Sequence, residues 1–131
     1  MEQDLIEGYL VRSGVSYDAL GDGMWVVNDD VDKVDNIVVT LADPIVLFRV
    51  KLMKLPADPA TRSALYAKLL ELNATSMVAG AYAIENDAII AIDTLQVENL
   101  DYNEFQAAID GLTLAITEHY DMLKQFHTVA A

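Results

Sequence analysis

The sequence predicts an α+β domain: an antiparallel five-stranded sheet and three helices, in the order α-β-β-β-α-β-β-α. Asp58 to Phe126 reads as a capped helix, a two-strand hairpin and a longer capped helix. Before it come three apolar segments joined by short links, the mark of an antiparallel meander, and before those a short helix. At 131 residues, 53% hydrophobic and with a mean hydropathy of +0.25, the chain suits one fully folded domain over residues 1–131.

Leu5, Ile6, Tyr9 and Leu10 recur at helical spacing, and Gly14 offers a left-handed stop, giving a first helix of about three turns. Tyr17 to Gly23 reads as a connection ending in the turn signal Gly21-Asp22-Gly23, after which Met24-Trp25-Val26-Val27 begins the first strand. An acidic loop from Asn28 to Asp35 leads to Ile37–Leu41, and Asp43-Pro44 turns the chain into a long third strand, Ile45–Leu55. Alternation places Phe48, Val50 and Leu52 on one face of that strand and Leu47, Arg49, Lys51 and Met53 on the other. The first face is core; the second, half apolar and half basic, suits a partly covered surface or a contact with another chain.

Asp58-Pro59 is a helix start with a mechanism: the carboxylate accepts free first-turn amides, and proline loses nothing at the first helical position. Leu65, Leu69 and Leu72 form one stripe and Tyr66, Leu70 and Asn73 an adjacent one. So wide an arc either touches more than its own sheet or is ordinary intrachain core. Val78–Glu85 and Ala88–Val97 form a hairpin about Asn86-Asp87, which tolerate the positive φ of a tight turn. Gly80, Ala81, Ala83 and Ala91 are small enough to let another backbone or helix approach closely. The last helix opens with the reciprocal cap Asp101-Tyr102-Asn103-Glu104. Phe105, Ile109, Leu112, Ile116, Tyr120 and Leu123 form its buried stripe, opposite Gln106, Asp110, Thr113, Thr117, Asp121 and Lys124.

The net charge of −13 is unevenly placed. Residues 1–44 carry ten acids against Arg12 and Lys33, and residues 78–131 carry nine against Lys124. Between them lie Arg49, Lys51, Lys54, Arg62 and Lys68, facing only Asp58 and Glu71. This basic region is either a docking patch for an acidic segment or a set of neutralising partners for nearby acids. A field this negative disfavours nucleic acid and anionic membranes as partners. The acidic start without an apolar signal core, and the lack of any apolar run near the ~20 residues of a membrane span, point to the cytoplasm.

No residue pattern carries catalysis or a cofactor. With no cysteine, thiol nucleophiles, disulfides and Cys-ligated zinc are excluded. The acidic loop lacks the glycine and the twelfth-position glutamate of an EF-hand and places Lys33 in the cage, so it is expected to be solvated rather than metal-binding. His119 and His127 share a helix side but sit about 12 Å apart along the axis, too far to grip one metal ion. His119 is expected to pack beside the buried stripe and His127 to lie in the tail. No serine sits in a nucleophile elbow, and Gly21-Asp22-Gly23 lacks the length and lysine of a phosphate loop.

The element order, with Leu69-Leu70-Glu71-Leu72-Asn73 closing the second helix, Gly80–Ile84 and Ile89–Leu95 as the hairpin, and Asn99-Leu100-Asp101 entering the last helix, resembles the type III secretion chaperone-like family. That family includes the CesT/Tir chaperones and YbjN-like proteins. The resemblance covers nearly the whole chain and implies a non-enzymatic, cofactor-free domain, often a homodimer, that holds an extended client segment against hydrophobic patches. It implies a dimer contact at Leu65, Tyr66, Leu69, Leu70 and Tyr82, and client contacts at Tyr9, Leu47, Arg49, Lys51 and Met53. YbjN-like relatives also imply an alternative, a regulatory or signalling adaptor not tied to secretion.

Overall fold

In the computed structural model, which describes residues 2–29, 34–77 and 80–128, the sheet has six strands rather than the expected five. The elements are α1 (Glu2–Ser13), β1 (Ser16–Gly21), β2 (Met24–Asp29), β3 (Val34–Ala42), β4 (Ile45–Lys54), α2 (Pro59–Thr75), β5 (Ala81–Glu85), β6 (Ala88–Gln96) and α3 (Tyr102–Thr128). All neighbouring strands pair antiparallel, in the order β1-β2-β3-β4-β6-β5.

The additional strand is β1, which lies where a connection is expected from the sequence. It pairs with β2 from Ser16 opposite Asn28 to Gly21 opposite Met24, and Asp22-Gly23 closes the hairpin. Of its six residues only Tyr17 is even half-buried. An edge strand that buries so little needs no alternating apolar residues, so it leaves no periodic signal.

The local chemistry of the other elements behaves as the sequence predicts. Asp58 accepts the Thr61 amide at 2.9 Å and the Thr61 hydroxyl at 2.8 Å, with Pro59 at the first helical position. The hydroxyl first and the amide second hold the Asp58 carboxyl below the usual carboxylate range. Glu104 accepts the Asp101 amide at 3.1 Å while Asp101 accepts the Glu104 amide at 2.8 Å, so the cap is reciprocal. Asn86 and Asp87 both have positive φ in the β5–β6 turn. At Gly80, φ is +77° and an added Cβ would lie 2.5 Å from the Ile92 carbonyl oxygen, so only glycine fits.

One core joins one face of the sheet to all three helices. Trp25, Val27, Ile37, Val39, Val46, Phe48, Val50, Ile89 and Ala91 meet Ile6 and Leu10 of α1, Leu65, Leu69 and Leu72 of α2, and Phe105, Ile109 and Leu112 of α3. The buried side of α3 differs from the predicted stripe at two positions, Thr113 being buried and Tyr120 58% exposed, while His119 is buried as expected. His119 lies one heptad beyond Leu112, itself one beyond Phe105, so the contact line follows the heptad. The Thr113 hydroxyl is satisfied by donating to the Asp110 carbonyl at 3.0 Å. Asp30 to Lys33 of the acidic loop, Val78 and Ala79 before β5, and the side chain of His127 lie outside the described residues.

Candidate protein-binding site

The helices occupy one face of the sheet and leave the other to form the candidate surface. Residues opposite one another in an antiparallel ladder project from the same face. Following the register outward from Leu47, the helix-free face carries Ser16 and Asp18 of β1, Met24 and Val26 of β2, Val38 and Thr40 of β3, Ile45, Leu47, Arg49 and Lys51 of β4, Ile90, Ile92, Thr94 and Gln96 of β6, and Ala81, Ala83 and Glu85 of β5. Its centre, from Met24 and Val26 through Val38 and Leu47 to Ile90 and Ile92, is apolar for a face without a helix on it. Met24 is 38% exposed, and Val26, Val38, Leu47 and Ile92 are half-buried.

A β-bulge decides where the end of β4 points. Lys51 lies opposite Ile90, but Met53 lies opposite Ile89 and Lys54 opposite Ala88, so the ladder skips Leu52. Ile89 belongs to the core face and Ala88 to the helix-free face. The bulge therefore turns Met53 toward the core and brings Lys54 round beside Arg49 and Lys51. Strict alternation predicts Met53 on the face of Leu47, Arg49 and Lys51; the inserted residue overturns that, and Met53 packs against the core cluster.

The basic residues on this face have few partners. Arg49 Nη1 lies 3.4 Å from Glu85 Oε2, both side chains being about half exposed. Among the described residues neither Lys51 nor Lys54 has an ion-pair partner. Arg62 of α2 is engaged elsewhere, donating to the Pro56 carbonyl and lying 3.6 Å from Asp87.

At the β5 edge, α2 closes the sheet. Asn73 Oδ1 accepts the Tyr82 amide at 2.8 Å and Asn73 Nδ2 donates to the Tyr82 carbonyl at 3.2 Å. The Tyr82 side chain points inward, its hydroxyl 2.6 Å from His119 Nδ1 and 3.4 Å from the Ala115 carbonyl. Burial first, and the nearby Glu118 carboxylate second, push the Tyr82 phenol up to about 12. Among the described residues no group of His, Asp and Glu has the geometry of a metal site, and no helix is long and apolar enough to cross a membrane.

The residues singled out from the sequence thus fall into three places. Leu47, Arg49 and Lys51 share the helix-free face. Tyr9 lies on the opposite side, its hydroxyl donating to the Leu100 carbonyl at 2.8 Å and its ring packed against Tyr102 and Phe105, so it does not join them. Leu65, Leu69 and Tyr82 are buried within the chain's own core, whereas Tyr66 is half-buried and Leu70 is 69% exposed. Packing and the Asn73 pair consume the first set; Tyr66 and Leu70 are the members left with outward surface. Lys54 belongs to the basic region that the sequence offers as a docking patch, and the bulge brings it onto the helix-free face; Glu85 has no local signature, because its ion pair forms across the sheet.

The family model CesT_Tir_1 matches residues 2–129. The chain belongs to the CesT_Tir_1 family. Solved structures share its fold at low identity. YbjN from E. coli aligns with a TM-score of 0.66 at 18% identity, over 92% of this chain and 92% of that one. The Yersinia pestis type III secretion chaperone SycH, solved with a fragment of YscM2, gives 0.63 at 16%, over 89% and 98%. The ExoU–SpcU complex of the Pseudomonas aeruginosa type III secretion system gives 0.66 at 16%, over 92% and 96%. No curated protein sequence matches the chain. This CesT_Tir_1 member thus has the α+β architecture of the type III secretion chaperones, with an antiparallel sheet and three helices.

Proposed function

We propose that this CesT_Tir_1 protein is a non-enzymatic binding domain that holds a segment of a client protein. The observation that carries the reading is the helix-free sheet face: a run of half-buried aliphatic side chains, with Arg49, Lys51 and Lys54 along one strand, in a chain that carries −13 overall. Apolar side chains at this density gain by being covered. Two of the structural relatives were solved as protein complexes, SycH with YscM2 and ExoU with SpcU, which favours a protein occupant. Leu47, Arg49 and Lys51 are the proposed client contacts, and the exposed Leu70 with Tyr66 is the proposed site of a homodimer contact. A cytoplasmic location accords with both.

A second reading is supported by the likeness to YbjN, described as a proposed transcription regulator: a regulatory adaptor outside secretion. Affinity capture from the native cytoplasm with mass spectrometry separates the two. Recovery of a secreted protein supports the chaperone reading and recovery of a regulator supports the adaptor; recovery of a small metabolite and no protein contradicts both. For the dimer, light scattering during size-exclusion chromatography is expected to give twice 14.4 kDa, and a 14.4 kDa particle at every concentration contradicts it.

A further inference from the structure

We infer that the helix-free face along β4 receives an acidic, apolar-rich segment of another protein, one of whose carboxylates takes the place of Glu85 on Arg49. The inference rests on the client-holding reading and specifies the chemistry of the client.

The bulge at Leu52 is the first observation. By skipping one residue it places Lys54 on the same face as Arg49 and Lys51, so one strand presents a row of cations. Successive same-face positions lie about 7 Å apart, a spacing that carboxylates at alternate positions of an extended segment can meet.

The second is the Arg49–Glu85 ion pair. Arg49 lies opposite Ile92, Glu85 lies opposite Ala88, and β6 runs between their strands. The pair therefore arches over β6 where Ile90 projects, and Ile90 is only 6% exposed although no helix covers that face. Exposed ion pairs of this kind are weak, about 0–1 kcal/mol. An incoming carboxylate can replace Glu85 at little cost and uncover Ile90, with Leu47 and Ile92 beside it, as an apolar floor.

Charge selects the occupant. On β4, β5 and β6, the helix-free face carries Arg49, Lys51 and Lys54 against Glu85 alone, within a chain whose other charges are mostly acidic. A second copy docked face to face brings the same cations against these. An acidic segment of a different protein meets them with opposite charge.

The test selects random displayed peptides on the immobilised full chain and measures the selected peptides by fluorescence anisotropy against wild type, Arg49→Glu, Lys51→Glu and Glu85→Gln. The inference expects peptides that combine acidic with aliphatic residues. Binding is expected to weaken about tenfold in each charge reversal and to tighten about threefold in Glu85→Gln. Lys51→Glu keeps the test decisive if Arg49→Glu fails to fold. Selected peptides that lack acidic bias and ignore all three variants overturn the inference and leave the client reading intact. Failure to select any peptide overturns both. A dimer in light scattering that Glu85→Gln weakens assigns the face to a second copy and also overturns the inference.

Discussion

The Asn73 carboxamide pairs with both backbone groups of Tyr82, accepting its amide at 2.8 Å and donating to its carbonyl at 3.2 Å. One helical side chain thus takes the place of a seventh strand. A free edge of this kind invites pairing with other chains, and α2 closes it here without covering the sheet's helix-free face. Asn73→Ala leaves both Tyr82 groups without protein partners. A loss of about 1–3 kcal/mol in urea unfolding is expected, with faster hydrogen exchange at the Tyr82 amide and a stronger tendency to aggregate. Unchanged exchange there contradicts the assignment.

Tyr82 also anchors the edge from inside through His119. Its phenol is raised to about 12 from an ordinary value near 10. Between those values the unfolded chain has lost the proton that the folded chain still holds. The contribution of Tyr82 is therefore complete below about pH 10 and is lost as pH rises toward 12. Stability is expected to fall across that window in wild type, and less so in Tyr82→Phe, which has no proton to lose. At neutral pH the same variant is expected to cost about 1 kcal/mol by leaving His119 Nδ1 unpaired. Parallel stability curves for the two proteins above pH 10 contradict the buried phenol.

Lysine substitution tests the bulge in β4. Met53→Lys directs a charge toward the core and is expected to destabilise by about 2 kcal/mol or more. Leu47→Lys, on the helix-free face, is expected to cost about 0.5 kcal/mol. Equal costs in urea unfolding would mean that Met53 and Leu47 share a face and that the skip at Leu52 is absent.

Gly80→Ala combines a positive φ with a Cβ 2.5 Å from the Ile92 carbonyl oxygen. A loss of about 1–3 kcal/mol is expected, with the disturbance centred on β5 and β6 in hydrogen exchange. A neutral substitution contradicts the close approach.

What the sequence revealed and what it concealed divide by range. Asp58-Pro59, Asp101 with Glu104, and Asn86-Asp87 act on neighbours a few residues away, so their chemistry is written locally. The core face of β4 was legible at Phe48 and Val50 because they alternate strictly with Leu47, Arg49 and Lys51. β1 was not, because an exposed edge needs no apolar period. The bulge at Leu52 was not, because leucine fits a strand whether or not the ladder skips it. That skip turns Met53 to the core face, against strict alternation, and brings Lys54 beside Arg49 and Lys51. The family resemblance implies a dimer contact at Leu65, Leu69 and Tyr82, and only the position of α2 against β5 shows that the chain buries them itself. Tyr9 was separated from Leu47 by the sheet between them, a relation that no spacing encodes.

Site-specific photo-crosslinking in the native cell shows whether the helix-free sheet face is the contact surface. A crosslinking amino acid is placed at Thr94, exposed on that face of β6, and in a second protein at Asp121, exposed on the outer side of α3. A covalent adduct with a different protein is expected from Thr94 and none from Asp121. Adducts from Asp121 with none from Thr94 would contradict this expectation.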